Sequence, residues 1–293
     1  MTRLIKAEIY KVYKTRVIKV LCVIMILLAV MLLGISKLLS SEDFIKGSLK
    51  GMSEAQQEQL MNQLQSTSNG DTAMVQPGGG TGFHIAAKDI FHPKGGEIYY
   101  SSFGVGAIEI IMSILIGAVV AGEYSSGTIK NILAYGKKRE HYYLSKLIAI
   151  AIAVGVLLGI MVSIASIGAS IMYGWGGDVG LIEVLKTFSA ALIVGTSVSS
   201  LIMLIATLAK SNGTTIGIGI VLFTVVPTII SNLYGKYNWF DRLYEITPAY
   251  NWAVITSTHA SSGEFTKAII VAIITIIIAT LSGIMIFKKQ DIR

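Results

Sequence analysis

Residues 147–173 read LIAIAIAVGVLLGIMVSIASIGASIMY, and none of these side chains is charged. A helix rises about 1.5 Å per residue, so about 20 apolar residues cross the roughly 30 Å hydrocarbon core of a bilayer. This run is longer than that. With its lead-in it makes a span over Leu144–Tyr173, long enough to tilt, or to break near Gly155 and Gly159.

Other runs of the same kind flank it. Val17–Leu38, Phe103–Ala121, Thr187–Ala209, Thr214–Ser231 and Phe265–Phe287 bring the expected spans to six. Composition agrees: 53% of the 293 residues are hydrophobic and 14% are charged, against about 25% charged in soluble domains. The fold class expected is therefore all-α, a polytopic membrane protein. Pro227 near the end of the fifth run predicts a kink or stop there.

Outside the spans, Leu4, Ile5, Ile9, Val12 and Tyr13 recur at helical spacing among Arg3, Lys6, Lys11 and Lys14. Residues 1–16 thus read as an amphipathic helix at the membrane surface, with the six-helix domain over 17–293. A basic stretch before an apolar run also suits a signal peptide, but this stretch is long and no small-residue cleavage site follows. Residues 39–102 form a long polar loop with a short helix expected near Ser53–Gln65 and a PGGGTG turn. Residues 232–264 carry Tyr234, Tyr237, Trp239, Phe240, Tyr244, Tyr250 and Trp252, rings that suit the headgroup level, and read as extracytoplasmic or re-entrant short helices.

Charge sets the expected orientation. The segments before the first span, between the second and third, between the fourth and fifth, and after the sixth, together with Lys19 and Lys146 at the adjoining span ends, hold 15 of the 24 basic residues. The rule that basic residues stay inside then predicts cytoplasmic termini. It also accounts for the net charge of +7 without invoking nucleic acid. The single Cys22 lies in an apolar run, and His84, His92, His141 and His259 lack metal-ligand spacing. No Walker sequence, zincin motif or nucleophile elbow is present, so neither a catalytic residue nor a cofactor site is expected in this chain.

The connection over 122–143 holds the most specific pattern. Glu123, then Gly127-Thr128, Leu133, Gly136, Arg139 and Lys146 follow one another in an order that resembles the E-x-x-x-G-T-x-x-x-L-x-x-G/P-x-x-R segment of ABC-2 type permeases, with one residue more between Thr128 and Leu133. The amphipathic start, the six spans and the aromatic stretch before the last span extend the resemblance over nearly the whole chain. It implies a permease subunit of an ATP-driven exporter in a bacterial cell membrane. Its partners would be the lipid bilayer, cytoplasmic ABC ATPase subunits that bring the ATP and Mg, and a second membrane subunit, identical or related. It implies further that 122–143 is a coupling segment, with Glu123, Gly127, Thr128, Arg139 and Lys146 marking it and Ile129, Lys130, Asn131, Ile132, Leu133 and Tyr135 on its docking face. Glu123 would anchor the segment by pairing with Arg139 or Lys146. The substrate implied is hydrophobic or amphipathic, in the manner of antimicrobial peptides or drugs. A non-transporting scaffold or sensor and a secondary transporter are the competing readings, the latter weakened by the scarcity of acids within the spans.

Two features stay open at this level. Glu109 lies inside the second apolar run, where a carboxylate either marks a pathway or helix contact or snorkels to the nearer headgroups. The small residues of the third and fourth spans, Gly155, Gly159, Gly195, Ser197, Ser199 and Ser200 among them, serve close packing, hydroxyl bonds across helices or a polar pathway.

Overall fold

The computed structural model describes residues 1–48, 50, 53, 56, 82, 85, 87, 89–129, 138–176, 179–257 and 260–290. The helix expected near Ser53–Gln65 and most of the PGGGTG turn fall outside them.

Helix α1 (Thr2–Lys14) ends at Thr15, whose extended backbone (ψ 135°) turns the chain into α2 (Arg16–Leu39). After α3 (Glu42–Ser48) and α4 (Gly95–Ser101) come α5 (Ala107–Ser125), α6 (Arg139–Tyr173), α7 (Leu181–Ala209) and α8 (Asn212–Leu233). Two short helices, α9 (Asn238–Glu245) and α10 (Pro248–Ile255), precede α11 (Ser262–Lys289). Six of these, α2, α5, α6, α7, α8 and α11, are long and apolar enough to cross a membrane. The fold is the all-α six-span bundle that the hydropathy predicts.

Helices α6 and α7 form its centre. Helices α1, α2, α4 and α11 pack on α6, while α5, α8, α10 and α11 pack on α7. Coverage falls off outward: 61% of the most apolar window is buried in α5 and in α7, but only 6% in α8. A helix that apolar and that bare has lipid or another protein for its remaining solvent.

The structure decides four points that the sequence leaves open or reads differently. Helix α6 runs unbroken through Gly155 and Gly159. Gly95–Ser101, the end of the expected polar loop, is a wholly buried helix whose Gly95 amide donates to the Gly174 carbonyl at 2.9 Å and whose Tyr99 hydroxyl donates to the Val184 carbonyl at 2.7 Å. Those bonds satisfy polar groups that would otherwise be stranded away from water. Helix α10 likewise enters the bundle: Trp252 is fully buried and its indole N–H donates to the Gly104 carbonyl at 3.4 Å. Finally, Ser197, Ser199 and Ser200 donate to carbonyls of their own helix, Val194, Gly195 and Ser197 respectively, so their small size serves packing; of the three, Ser199 also reaches across to α5, 3.8 Å from the Met112 sulfur.

Two spans contain π-helical turns, Gly117–Ala121 in α5 and Val221–Val225 in α8. In α8 the turn ends just before Pro227, which has no N–H to donate and whose ring crowds the carbonyl of the preceding turn. The helix continues through Pro227 to Leu233, so the proline does not end the span. The two modified helices face each other. A Cβ on Gly219 of α8 would overlap both Oγ and Cβ of Ser113 in α5, and a serine Cβ cannot move without its backbone. Gly219→Ala should therefore lower stability by about 1–3 kcal/mol, the usual cost of an overpacked contact. Adding Ser113→Gly should restore most of it, as read by thermal loss of helical circular dichroism in detergent. A Gly219→Ala protein as stable as the parent would contradict the close approach.

Candidate functional site

Both chain ends and the α5–α6 connection lie at one end of the bundle, and four charged side chains meet there. Glu8 sits on the face of α1 formed by Leu4, Ile5 and Val12, so folding α1 onto α6 carries a carboxylate inward with the apolar stripe; Glu8 is 1% exposed. Lys146, one turn into the apolar part of α6, is equally buried. Its ammonium lies 2.6 Å from Glu8 Oε2 and 2.8 Å from Glu123 Oε1 at the end of α5. Lys11, one turn along α1 from Glu8, lies 2.5 Å from Glu8 Oε1 and 3.2 Å from Glu123 Oε1. Acid and base alternate around a closed ring of Glu8, Lys146, Glu123 and Lys11 that is neutral as a whole.

The alternation makes burial tolerable, because each charge has two opposite neighbours in place of water. The Tyr142 hydroxyl donates to the second oxygen of Glu123, and the Lys146 ammonium stands 5.6 Å over the Tyr142 ring. Burial disfavours the charge on Lys11, yet the Glu8 and Glu123 carboxylates outweigh it and raise its pKa above the ordinary lysine range.

The other edge of the connection is tied separately. Of the two cations that the sequence offers Glu123, the structure gives it Lys146. Arg139 turns to α11, donating to the carbonyls of Phe287 (2.8 Å), Lys288 (2.9 Å) and Gln290 (2.8 Å) and stacking 5.7 Å over the Phe287 ring. A guanidinium at a helix C-terminus satisfies carbonyls that lack intrahelical donors and opposes the negative end of the helix dipole. Glu140 pairs with Lys288, and the Gln290 amide donates to the Thr207 carbonyl of α7 at 2.9 Å. Phe287 is fully buried beneath all this, against the rings of Tyr124, Tyr142 and Tyr143.

Between the anchors, Gly127 takes φ +70°, the left-handed turn that glycine adopts without strain, and Thr128 and Ile129 start the next helical turn. Ile129 is 1% exposed, so its side chain plugs the bundle and is not part of an outward docking face; this corrects its assignment from sequence. Thr128 is exposed. Lys130, Asn131, Ile132, Leu133 and Tyr135 fall outside the described residues.

Glu8 and Tyr142 are the site residues that motif reasoning misses. A signal was present: Glu8 is the only acid on a basic helix, and it falls on that helix's apolar face. Glu109 lies at the other end of the bundle. It is 1% exposed, which removes snorkelling as its explanation.

The model of the ABC-2 family transporter protein matches residues 2–292. The chain belongs to that family. No curated protein matches it at a significant level. As an ABC-2 family member it is a permease subunit of an ABC transporter, a multi-pass membrane protein that associates with ABC ATPase partners.

In this permease the ring is the strongest polar link between α1, α5 and α6. Lys146→Met leaves two buried carboxylates sharing Lys11 and should cost about 3–5 kcal/mol, the range for breaking a buried pair. Adding Glu8→Gln to it should cost less than the sum of the single changes, because the orphaned charge is removed as well. Thermal unfolding of the four proteins of this cycle in detergent measures the coupling, and strict additivity would show that the ring is not a unit.

Proposed function

We propose that the chain is the permease of an ATP-driven exporter in a bacterial cell membrane, with both termini cytoplasmic, and that residues 122–143 couple it to the ATPase. The observation that carries this reading is the double anchoring of that connection, by the Glu8–Lys146–Glu123–Lys11 ring on one side and by Arg139 on the α11 carbonyls on the other. A segment that converts motion of a soluble partner into motion of spans must not yield at its ends. Here a push on the connection is delivered to α1, α5, α6 and α11 together.

The roles divide accordingly. Glu123, Lys146 and Arg139 hold the segment, Gly127 sets the turn, Thr128 and the residues through Tyr135 present the docking surface, and Ile129 seats it in the bundle. This chain has no ATPase activity of its own; ATP and Mg belong to the partner subunits. A second membrane subunit, identical or related, completes the pathway, and the sparsely covered α8 supports that reading. The substrate is hydrophobic or amphipathic, an antimicrobial peptide or drug.

Co-purification from native membranes tests the assignment. The tagged chain should recover an ABC ATPase, and replacing residues 130–135 with a Gly-Ser linker should abolish that recovery without loss of membrane insertion. Glu123→Gln should keep the ATPase bound while lowering ATP-driven substrate movement at least about tenfold, the effect of losing roughly 1.4 kcal/mol of coupling. Recovery of no ATPase under conditions that preserve membrane complexes would favour a scaffold or a secondary transporter instead.

A further inference from the structure

Helices α6 and α11 touch closely on their inner side, where a Cβ on Gly283 would overlap the Tyr143 hydroxyl and the ring carbon that bears it. On their outer side they part. An open groove of about 650 Å³ runs between them, walled by Leu144 and Leu147 of α6 and by Ile276, Thr280, Leu281 and Ile284 of α11. That volume lies within the roughly 300–1,000 Å³ of sites that hold small molecules.

The wall is apolar apart from Thr280, and Ile277, Leu281 and Met285 along it are each more than half exposed. From Ile276 to Lys288 the α11 side of the groove rises about 18 Å, at about 1.5 Å per residue. One leaflet of a bilayer, half of the roughly 30 Å hydrocarbon core, has nearly that depth. The groove therefore has the length of one acyl chain reaching in from a single surface.

Charge borders it at one end only. Glu140 and Lys288 close the groove there and pair with each other. Lys138 and Lys289, their neighbours in the chain, are exposed, and Arg139 lies on the α11 carbonyls at the same point. Residues 138–140 and 288–289 thus bring four cations against one carboxylate. Basic pockets between spans, placed where the apolar wall ends, draw anionic lipid headgroups. A zwitterionic lipid would fill the wall and leave that excess charge unmatched.

We infer that the α6–α11 groove is a binding site for one anionic phospholipid, its acyl chain against Leu144, Leu147, Ile276 and Leu281 and its phosphate beside Lys138, Lys288 and Lys289. The lipid touches both spans that Arg139 joins, so it supports the second anchor of the 122–143 connection from the bilayer side. The site depends on the bundle alone, whatever ATPase or substrate the permease serves.

The test uses the full chain in nanodiscs of phosphatidylcholine doped with phosphatidylglycerol that carries a diazirine on its acyl chain. Illumination and peptide mapping should place a saturable label on the groove residues of α6 and α11. The same diazirine on phosphatidylcholine, at the same mole fraction, should label them about tenfold less, as roughly 1 kcal/mol per basic residue at a membrane surface allows. Leu281→Trp, which fills the groove from an exposed position, should remove the groove label and spare labels elsewhere on the spans. Should that protein fail to insert, Leu144→Trp on the opposite wall decides. Lys138→Gln together with Lys289→Gln should cut the preference for phosphatidylglycerol at least about threefold while a groove label remains. Equal labelling by the two lipids, a label spread evenly over the exposed faces of the spans, a groove label that survives both tryptophan changes, or a preference unchanged in the double lysine variant overturns the proposal. Cross-links between two copies at these residues, in place of a lipid label, would give the groove to a second membrane subunit and also overturn it. No ATPase takes part in this assay, so recovery or loss of an ATPase partner leaves its result standing.

Discussion

Two opposite charges are buried at the end of the bundle where both termini lie, with two more half-buried beside them, and their arrangement governs what that end can do. Glu8 and Lys146 are each almost wholly shielded from water. Neither is tolerable without the other, and Glu123 and Lys11 close the ring so that every charge touches two of opposite sign. Because the members come from α1, α5 and α6, satisfying the electrostatics also fixes three helix ends relative to one another. The ring is expensive to open piecemeal, which favours movement of that end as one body.

The opposite end is built on another principle. There the core is aromatic and hydrogen-bonded, with Tyr99, Phe103 and Trp252 filling the interior, but its outermost layer is held lightly. Helix α9 buries none of its residues. Helices α5 and α8, which meet through Ser113 and Gly219, each contain a π turn, at Val221–Val225 in α8 and, only two residues before Glu123, at Gly117–Ala121 in α5. Such turns tend to occur where a helix serves function as well as packing, since they give up regular hydrogen bonding for local geometry. Under the proposed coupling role, a charge ring that ties three helices at the end of the α5–α6 connection is suited to a machine driven from that side.

The uneven coverage of the spans has a related meaning. Helices α6 and α7 have neighbours on most sides, whereas α8 and much of α2 and α11 leave apolar residues uncovered. In a bilayer that is no defect, because lipid tails are as apolar as leucine. Polar groups are what the interior has to satisfy. Arg139 on the α11 carbonyls, Gln290 on Thr207 and Tyr99 on Val184 all answer that need at helix ends.

Six spans, their approximate limits and the amphipathic first helix were legible in the sequence because hydropathy over about 20 residues is a local property. The spacing of Glu123, Gly127-Thr128, Arg139 and Lys146 was legible too, as a pattern along one connection. Which partner each of them takes was not. Glu123 had two cations within reach along the chain, and only the packing of α1 against α6 brings Glu8 and Lys11 in and sends Arg139 to α11. The burial of Gly95–Ser101 was hidden for the same reason, since it lies in a stretch polar enough to read as a loop, whereas the segment of Trp252 reads as short re-entrant helices and only the partner of that indole, Gly104, needed the structure. Local composition thus determines that a segment enters the membrane. The pairing of charges and the satisfaction of polar groups are settled largely by residues far apart along the chain, 83 positions for Gln290 and Thr207 and 138 for Lys146 and Glu8, and so only the tertiary structure decides them.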